Sequence, residues 1–212
     1  EELRPPDKWI LSRLNNLVKE STELMNDFQF NHVLREIRTF VWHEFCDMYI
    51  EEVKHRLYGD DSSAGAARKT LYQVLWTVTR LLAPFIPHFT EELYHTHFAS
   101  EHSQKSIHQF DWPTPEETLI DEKAEELGLM MNEIVSAIRQ YKSDQDLPLS
   151  EDISLLEVYA EKEKDLDHLK EISKDISGTL NIEEINLKKE ELKENLQIIN
   201  LPELGVKLGI KE

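Results

Sequence analysis

The chain has 212 residues, of which 40% are hydrophobic and 31% are charged, so it is long and apolar enough to bury a core without a disulfide or a metal. No segment approaches the roughly 20 consecutive apolar residues that a membrane span requires, which argues against an integral membrane protein. The formal net charge is −18, with 24 Lys+Arg against 42 Asp+Glu, which argues against binding nucleic acid by long-range attraction alone. The single cysteine excludes an internal disulfide, and the N-terminal residues lack a signal-peptide pattern, so we expect a cytoplasmic protein.

Apolar residues recur with a period of 3.6 through the first half of the chain, which predicts amphipathic helices. The first helix follows Asp7, a candidate N-cap, and the second spans about 31–57. The third should end near Pro84, because proline has no amide donor and clashes with the preceding turn. A shorter fourth helix spans 87–97. We therefore predict that residues 1–112 form an antiparallel four-helix bundle.

The second half of the chain begins with a further helix and then changes its pattern. Residues 113–150 are predicted to form this connecting helix and a polar loop. A short, continuous apolar run at Ile153 predicts a strand that is covered on both faces. The next helix should close at Gly178 in the C′ position, and a strand from Ile182 would lie parallel to the first. With a final hairpin, residues 151–212 should form a small α+β domain, so the fold class is mostly α.

The sequence shows no catalytic, metal or cofactor site. Its six glycines are scattered, so no phosphate-binding loop is present. His43 and Asp47 lie one helical turn apart, but the second position of the zinc motif is aspartate instead of histidine, so we predict no metal. Cys46 lies on an apolar helix without an obvious basic neighbour, which favours a buried, unreactive thiol. We predict no catalytic residue in this chain.

Basic residues are unevenly distributed, which indicates where an anion would bind. Seven of the eight arginines lie in residues 1–112, whose net charge is −5, against −13 for the remainder. Arg13 and Asn16 share a polar side of the first helix, and Arg35 and Arg38 begin the second helix at a spacing of three. These residues are candidates for contacts with RNA phosphates and bases. The alternative is a solvated polar face that pairs with neighbouring glutamates.

A second group of candidates lies at the end of the connecting helix. Arg139, Tyr141 and Lys142 offer a stackable ring between two cations, an arrangement that suits an unstacked base of single-stranded RNA. Tyr141 also continues the apolar stripe of its helix, so its ring could equally belong to the core.

Four strings of the sequence occur together in a known order and spacing. They are WILSRL at 9–14, FVWHEFCDMYIEEVKHRLY at 40–58, LLAPFIPHFTEELY at 81–94, and SIH at 106–108 followed by DWP at 111–113. As a set they resemble the anticodon-binding helical bundle of class I aminoacyl-tRNA synthetases. Within that family the second string is most similar to the valyl enzymes, with the isoleucyl enzymes as the alternative. The segments around Pro148 and from Gly178 to Ile182 resemble, more weakly, the small junction domain of this group.

This resemblance implies a non-catalytic part of a larger ligase. Its module would bind the anticodon stem and loop of a tRNA, for which Arg13, Asn16, Arg35, Arg38, Arg139, Tyr141 and Lys142 are the candidates. The chain lacks strings of the His-Ile-Gly-His and Lys-Met-Ser-Lys-Ser type. ATP and Mg²⁺ would therefore bind in a separate catalytic domain, which, with an editing domain, would belong to the same polypeptide. The alternative from another class is an acidic protein-interaction module with an exposed apolar patch and no basic end.

Overall fold

The computed structural model describes residues 2–189 and 196–211. Its contacts divide the chain into two units, Glu1–Ile50 with Ser62–Glu122 and Glu51–Asp61 with Lys123–Glu212. The first unit is helical, whereas the second combines helices with a small mixed sheet. The predicted fold class is therefore confirmed in its coarse form, a mostly helical chain with an α+β C-terminal part. The predicted domain bounds 1–112, 113–150 and 151–212 stay a prediction.

The helices of the first unit are α1 (Pro5–Asn26), α2 (Phe30–Thr39), a π-helix (Phe40–Ile50), α4 (Ala64–Leu82) and α5 (Pro87–His97), and the second unit contains α3 (Glu51–Tyr58), α6 (Glu122–Asp144) and α7 (Glu163–Leu180). The strands are β1 (Ile153–Ala160), β2 (Ile182–Lys188), β3 (Gln197–Leu201) and β4 (Val206–Lys211). Within the described residues, strands occur only after Ser150, as predicted.

The start of α1 differs from the prediction that Asp7 caps it. The helix begins at Pro5, a residue that favours the first helical position because it needs no amide partner. Asp7 lies inside the first turn, where its carboxylate accepts hydrogen bonds from the amide of Arg4 (2.9 Å) and the hydroxyl of Tyr49 (2.8 Å). The buried Asp7 thus stabilises the helix start and joins it to the π-helix.

The predicted helix 31–57 occurs as three segments, because a π-helix separates α2 from α3. The buried aromatic residues of this π-helix are Phe40, Phe45 and Tyr49, at steps of five and four. A step of five fits the wider i→i+5 hydrogen bonding of a π-helix. Cys46 is exposed, so the prediction that its thiol is buried is wrong. Partial desolvation and the neighbouring Asp47 raise the pKa of this thiol, which keeps it protonated and unreactive at neutral pH.

The connection that follows α5 runs back along α1 and satisfies polar side chains on that helix. The indole of Trp112 donates to the hydroxyl of Thr22 at 2.9 Å. The amide of Glu116 donates to Asn15 Oδ1 at 2.7 Å. These bonds explain how a polar side chain such as that of Asn15 is buried on α1 without loss of its hydrogen bonds.

The sheet of the second unit has the strand order β2-β1-β4-β3. Leu156 at its centre lies opposite Ile185 of β2 in parallel pairing and opposite Ile210 of β4 in antiparallel pairing. The predicted parallel pair and C-terminal hairpin are thus confirmed. The core of this unit is formed by one face of the sheet with the apolar sides of α6 and α7, including Ile134, Ile138, Leu156, Ile172, Ile176 and Leu208.

Gly178 does not end α7, which corrects the predicted C′ position. The helix continues to Leu180, and Asn181 adopts the left-handed conformation at its end, with φ of 55°. Gly178 instead faces α3, where a Cβ atom in its place would lie 2.3 Å from Cδ2 of His55. The glycine therefore leaves room for the imidazole of His55 and does not form a turn.

Candidate nucleic-acid interface

The two arginines of α2 lie on its exposed side. Arg38 forms no ion pair or side-chain hydrogen bond with any residue that the structure describes, so its guanidinium is available to a ligand. The side chain of Arg35 is 62% exposed and pairs with Glu36, with Nη2 and Oε1 3.0 Å apart. An exposed ion pair between neighbouring residues contributes little to the free energy of unfolding, so it can open to let the arginine bind a ligand. Helix α2 thus presents two cations in a chain that is strongly acidic overall.

Arg13 and Asn16 lie on α1 and are less accessible than the α2 arginines. The guanidinium of Arg13 forms a bidentate pair with Glu44 of the π-helix, from Nε at 2.7 Å and from Nη2 at 3.1 Å. Asn16 is half-buried. The alternative of pairing with a glutamate therefore describes Arg13 as it stands, although the partner is distant in sequence and not a neighbour on the same helix.

An exposed pair of aromatic rings lies at the start of α2, and the sequence analysis did not single it out. Phe28 is 79% exposed and has a φ of 56°, and the ring of Phe30 lies 6.1 Å away in an edge-to-face arrangement. Exposed aromatic rings are typical platforms for stacking of unpaired bases. The signal in the sequence was two phenylalanines two residues apart, directly after Asn26 and Asp27 and just before the second predicted helix.

At the end of α6, Arg139 and Tyr141 are half-buried. The ring of Tyr141 packs against the core of the second unit, in agreement with the alternative left open by its position in the apolar stripe. Only part of this ring is therefore exposed for stacking on a base.

Lys142 does not lie on the surface. Its side chain is almost fully buried, and its ammonium donates hydrogen bonds to the carbonyl oxygens of Leu149 (3.1 Å), Glu151 (2.6 Å) and Leu180 (3.0 Å). Burial lowers the pKa of this ammonium, although the carboxylates of Asp152 and Glu151 oppose the shift. Three donors on three carbonyls leave none for a phosphate. The prediction that Lys142 contacts RNA is therefore wrong.

A cavity of about 520 Å³ opens beside α4 and is lined by Arg68, Lys69, Tyr72, Gln73, Trp76 and Glu101. Its aromatic wall is part of the protein's own packing, because Trp76 stacks on His102 at 4.5 Å between ring centroids. The exposed Arg68 at its rim forms no ion pair or side-chain hydrogen bond with the described residues. This arginine lies on α4 and is not part of the group formed by Phe28, Phe30, Arg35 and Arg38.

The described residues contain no group of three or more metal-ligating side chains. His43 and Asp47, considered as a fragment of a zinc motif, form an exposed pair with Nδ1 and Oδ2 3.3 Å apart. Across residues 2–189 and 196–211, no helix has the length and apolar character of a membrane span.

Comparison with known proteins bears directly on this arrangement. Residues 7–160 match the family model for the anticodon-binding domain of tRNA ligases. Valine–tRNA ligases are among the similar proteins: that of Pyrococcus furiosus is 43% identical over 98% of this chain, that of Pyrococcus abyssi 47% over 90%, and that of Thermococcus kodakarensis 46% over 95%. The chain spans only 21–23% of the length of these relatives. Since the family match covers most of the chain, including all of the helical unit from Asp7 onward, this chain belongs to the family of anticodon-binding domains of tRNA ligases.

Proposed function

We propose that this chain is the anticodon-binding region of a valine–tRNA ligase and binds the anticodon stem and loop of the tRNA. Activation of valine with ATP and Mg²⁺, and its transfer to the tRNA, would take place in other domains of the same polypeptide. The observation that carries the proposal is that the accessible Arg35 and Arg38 lie on the helix that begins at the exposed Phe30, two residues after the exposed Phe28, within the segment that matches the family.

The chemistry of this surface suits a partly single-stranded RNA. Each stacked base contributes about 1–3 kcal/mol, and each neutralised phosphate of a single strand adds about −0.7 to the slope of log affinity against log salt. Because the chain has a net charge of −18, local arginines and not the overall field must attract the phosphates. We therefore expect weak binding that is sensitive to salt.

The remaining candidates stay in the proposal in a secondary role. Arg13 and Asn16 on α1 would supply contacts once the pair of Arg13 with Glu44 opens, and Arg139 with Tyr141 would form a separate contact on α6. We also propose that the helices of the first unit form the antiparallel four-helix bundle expected for this family, and that the protein is cytoplasmic.

The proposal is tested by titrating this chain with a fluorescent RNA hairpin that carries the anticodon stem and loop of valine tRNA. Replacing Arg35 and Arg38 together with Gln should weaken binding by about tenfold or more and flatten the salt dependence by about 1.4 in slope, for two lost phosphate contacts. Replacing Phe28 with Ala should weaken binding by about fivefold or more without changing that slope, because stacking is uncharged. Arg68→Gln, an exposed arginine on α4, is the matched control.

Specificity is tested with hairpins of isoleucine tRNA and of an unrelated tRNA. Preference for the valine hairpin supports a valine enzyme, whereas preference for the isoleucine hairpin supports the isoleucyl alternative. If no hairpin binds at low salt, the proposed function is wrong and the acidic protein-interaction module takes its place.

A further inference from the structure

The buried ammonium of Lys142 lies where three segments of the second unit meet. Its carbonyl partners belong to both ends of the 149–151 segment and to the last residue of α7. A lysine side chain offers three N–H donors in a compact tetrahedral group, and here each donor has its own acceptor. The side chain thus joins the end of α6, the loop that follows it and the end of α7.

Backbone hydrogen bonds place the same loop around Lys142. The amide of Leu147 donates to the carbonyl of Lys142 at 2.8 Å, and Asp146 has a φ of 55°, which is the pattern of a helix that ends in a left-handed residue. Asn181 then fixes the far end, with its side-chain amide donating to the carbonyl of Ser150 at 3.0 Å and its own carbonyl accepting from the amide of Ile153 at 2.9 Å. The path of residues 144–153 is therefore fixed by hydrogen bonds at both ends, and the ammonium of Lys142 holds two carbonyls between those ends.

This path matters for an anion that approaches α6. Four exposed carboxylates lie at the end of α6 and in the loop, at Asp144, Asp146, Glu151 and Asp152, and each would repel a phosphate held by Arg139. Arg139 lies one turn before Lys142 on the same helix. The position in which the loop is held therefore sets how far these carboxylates lie from a phosphate at Arg139, and so how strongly they repel it.

We propose that Lys142 is a positioning residue for RNA binding, which holds the end of α6 and the acidic loop in the arrangement that lets Arg139 meet a phosphate. The proposal rests on the proposed function and deepens it, because Lys142 acts through the loop and makes no contact with RNA itself. Replacement of Lys142 with arginine distinguishes a direct contact with RNA from a positioning role. Arginine replaces lysine well against a phosphate, but its planar guanidinium does not match three carbonyls arranged around a tetrahedral ammonium.

The test is a double-mutant cycle on this chain, read out by titration with the labelled valine hairpin. Lys142→Arg keeps the net charge, and we expect it to weaken binding by about tenfold, as does Arg139→Gln, which removes one charged contact. The double variant should be weaker than wild type by about tenfold only, and not by about a hundredfold, because the two changes remove the same contact. Amides of Leu147 and Glu151 should exchange hydrogen faster in Lys142→Arg than in wild type. Lys170→Arg, the same change at an exposed lysine of α7, is the control and should bind as wild type.

The outcomes separate the two proposals. If wild type does not bind the hairpin, or if Arg139→Gln binds it as wild type does, the proposed contact on α6 fails and the inference falls with it. If Arg139→Gln weakens binding but Lys142→Arg does not, or if the two losses multiply, the contact stands and the positioning role is wrong. Should Lys142→Arg not fold, Lys142→Met, with a flexible, unbranched and uncharged side chain of similar length, replaces it in a second cycle, and adding Arg139→Gln to it should again cause no further tenfold loss.

Discussion

Helix α2 and the end of α6 contain the same short pattern, two basic residues three positions apart, yet the structure uses the two pairs differently. Arg35 and Arg38 on α2 remain on the surface, where Arg35 forms an exposed ion pair with the adjacent Glu36. On α6, Arg139 is half-buried and Lys142 is buried against three carbonyl oxygens. The spacing predicts that two cations share a helix face but does not predict whether that face reaches solvent.

The difference follows from what comes after each pair along the chain. Helix α2 continues directly into the π-helix, so the carbonyls beyond Arg38 are used within the helical segment. Helix α6 ends two residues after Lys142, and the loop beyond it contains carbonyls that need donors once they are removed from water. A basic residue in the last turn of a helix is thus drawn inward when a compact loop follows it, and remains outside when the helix continues.

The largest effect is expected from removing the buried ammonium. Replacing Lys142 with Met leaves the carbonyls of Leu149, Glu151 and Leu180 without their donor, so we expect a loss of about 1–3 kcal/mol in the free energy of unfolding. Urea denaturation followed by circular dichroism measures this loss. Lys170→Met, at an exposed lysine, serves as the control and should cost clearly less than Lys142→Met. Equal stability of the two variants would show that the hydrogen bonds of Lys142 do not stabilise the loop.

The charge of Lys142 sharpens the comparison through pH. Burial holds its pKa below the ordinary value of 10.5, whereas the hydrogen bond and charge of Asp167 raise the pKa of Lys170 above it. Just below pH 10.5 the unfolded chain therefore binds more protons at Lys142 than the folded chain does. Because of this difference, the contribution of Lys142 to the free energy of unfolding increases as pH rises towards 10.5. The same contribution is lost as pH falls through the pKa of Lys142 in the folded chain. The contribution of Lys170 is fully present below pH 10.5 and is lost above it.

Denaturation at a series of alkaline pH values checks these two signs. The stability difference between wild type and Lys142→Met should increase with pH up to about pH 10.5, whereas that between wild type and Lys170→Met should decrease above it. A stability difference for Lys142→Met that did not change with pH would mean that Lys142 is ionised as easily in the folded as in the unfolded chain.

Arg13 is the intermediate case, because its bidentate pair with Glu44 is only partly screened by water. Its side chain is 37% exposed and that of Glu44 21%. Replacing Arg13 with Gln should therefore destabilise the protein by about 0.5–1 kcal/mol, a value reduced from that of a buried pair by solvent screening. A urea series with Arg13→Gln, Glu44→Gln and the double variant isolates the pair, since its coupling energy should account for most of the single losses. If the losses of stability in Arg13→Gln and Glu44→Gln add up in the double variant, Arg13 stabilises the protein through contacts other than its pair with Glu44.

Patterns that depend on neighbouring residues were predictable from the sequence, whereas features that depend on distant packing were not. Helix α5 has the predicted bounds because proline fixes its start, and β1 pairs with β2 as a strand–helix–strand unit requires. Gly178 was expected to end a helix, but its role comes from His55, more than a hundred residues earlier. The destination of Lys142 depends likewise on Leu180, which only the folded chain brings close.

The residues of the candidate site also include some whose exposure was predictable from local pattern and some whose exposure was not. The accessibility of Arg35 and Arg38 agrees with a solvated polar helix face, and periodicity alone predicted that face. The exposure of Phe28 was not predictable, because a loop phenylalanine is more often covered and its left-handed conformation is uncommon outside glycine and asparagine. The sequence did not predict whether Tyr141 is buried; in the structure its ring packs against the core of the second unit and is partly buried.

The smallest effect on stability, and the one most specific to function, is expected at Arg38. Its guanidinium has no ion pair or side-chain hydrogen bond with the residues described, so Arg38→Gln should change the free energy of unfolding by less than about 0.5 kcal/mol. The same variant should nonetheless reduce the salt slope of hairpin binding by about 0.7, the share of one phosphate on a single strand. Lys142→Met, by contrast, should show a clear loss of stability. If Arg38→Gln instead destabilised the protein and left the salt slope unchanged, an exposed basic pair on a continuing helix would be structural after all, and the contrast between α2 and α6 would not hold.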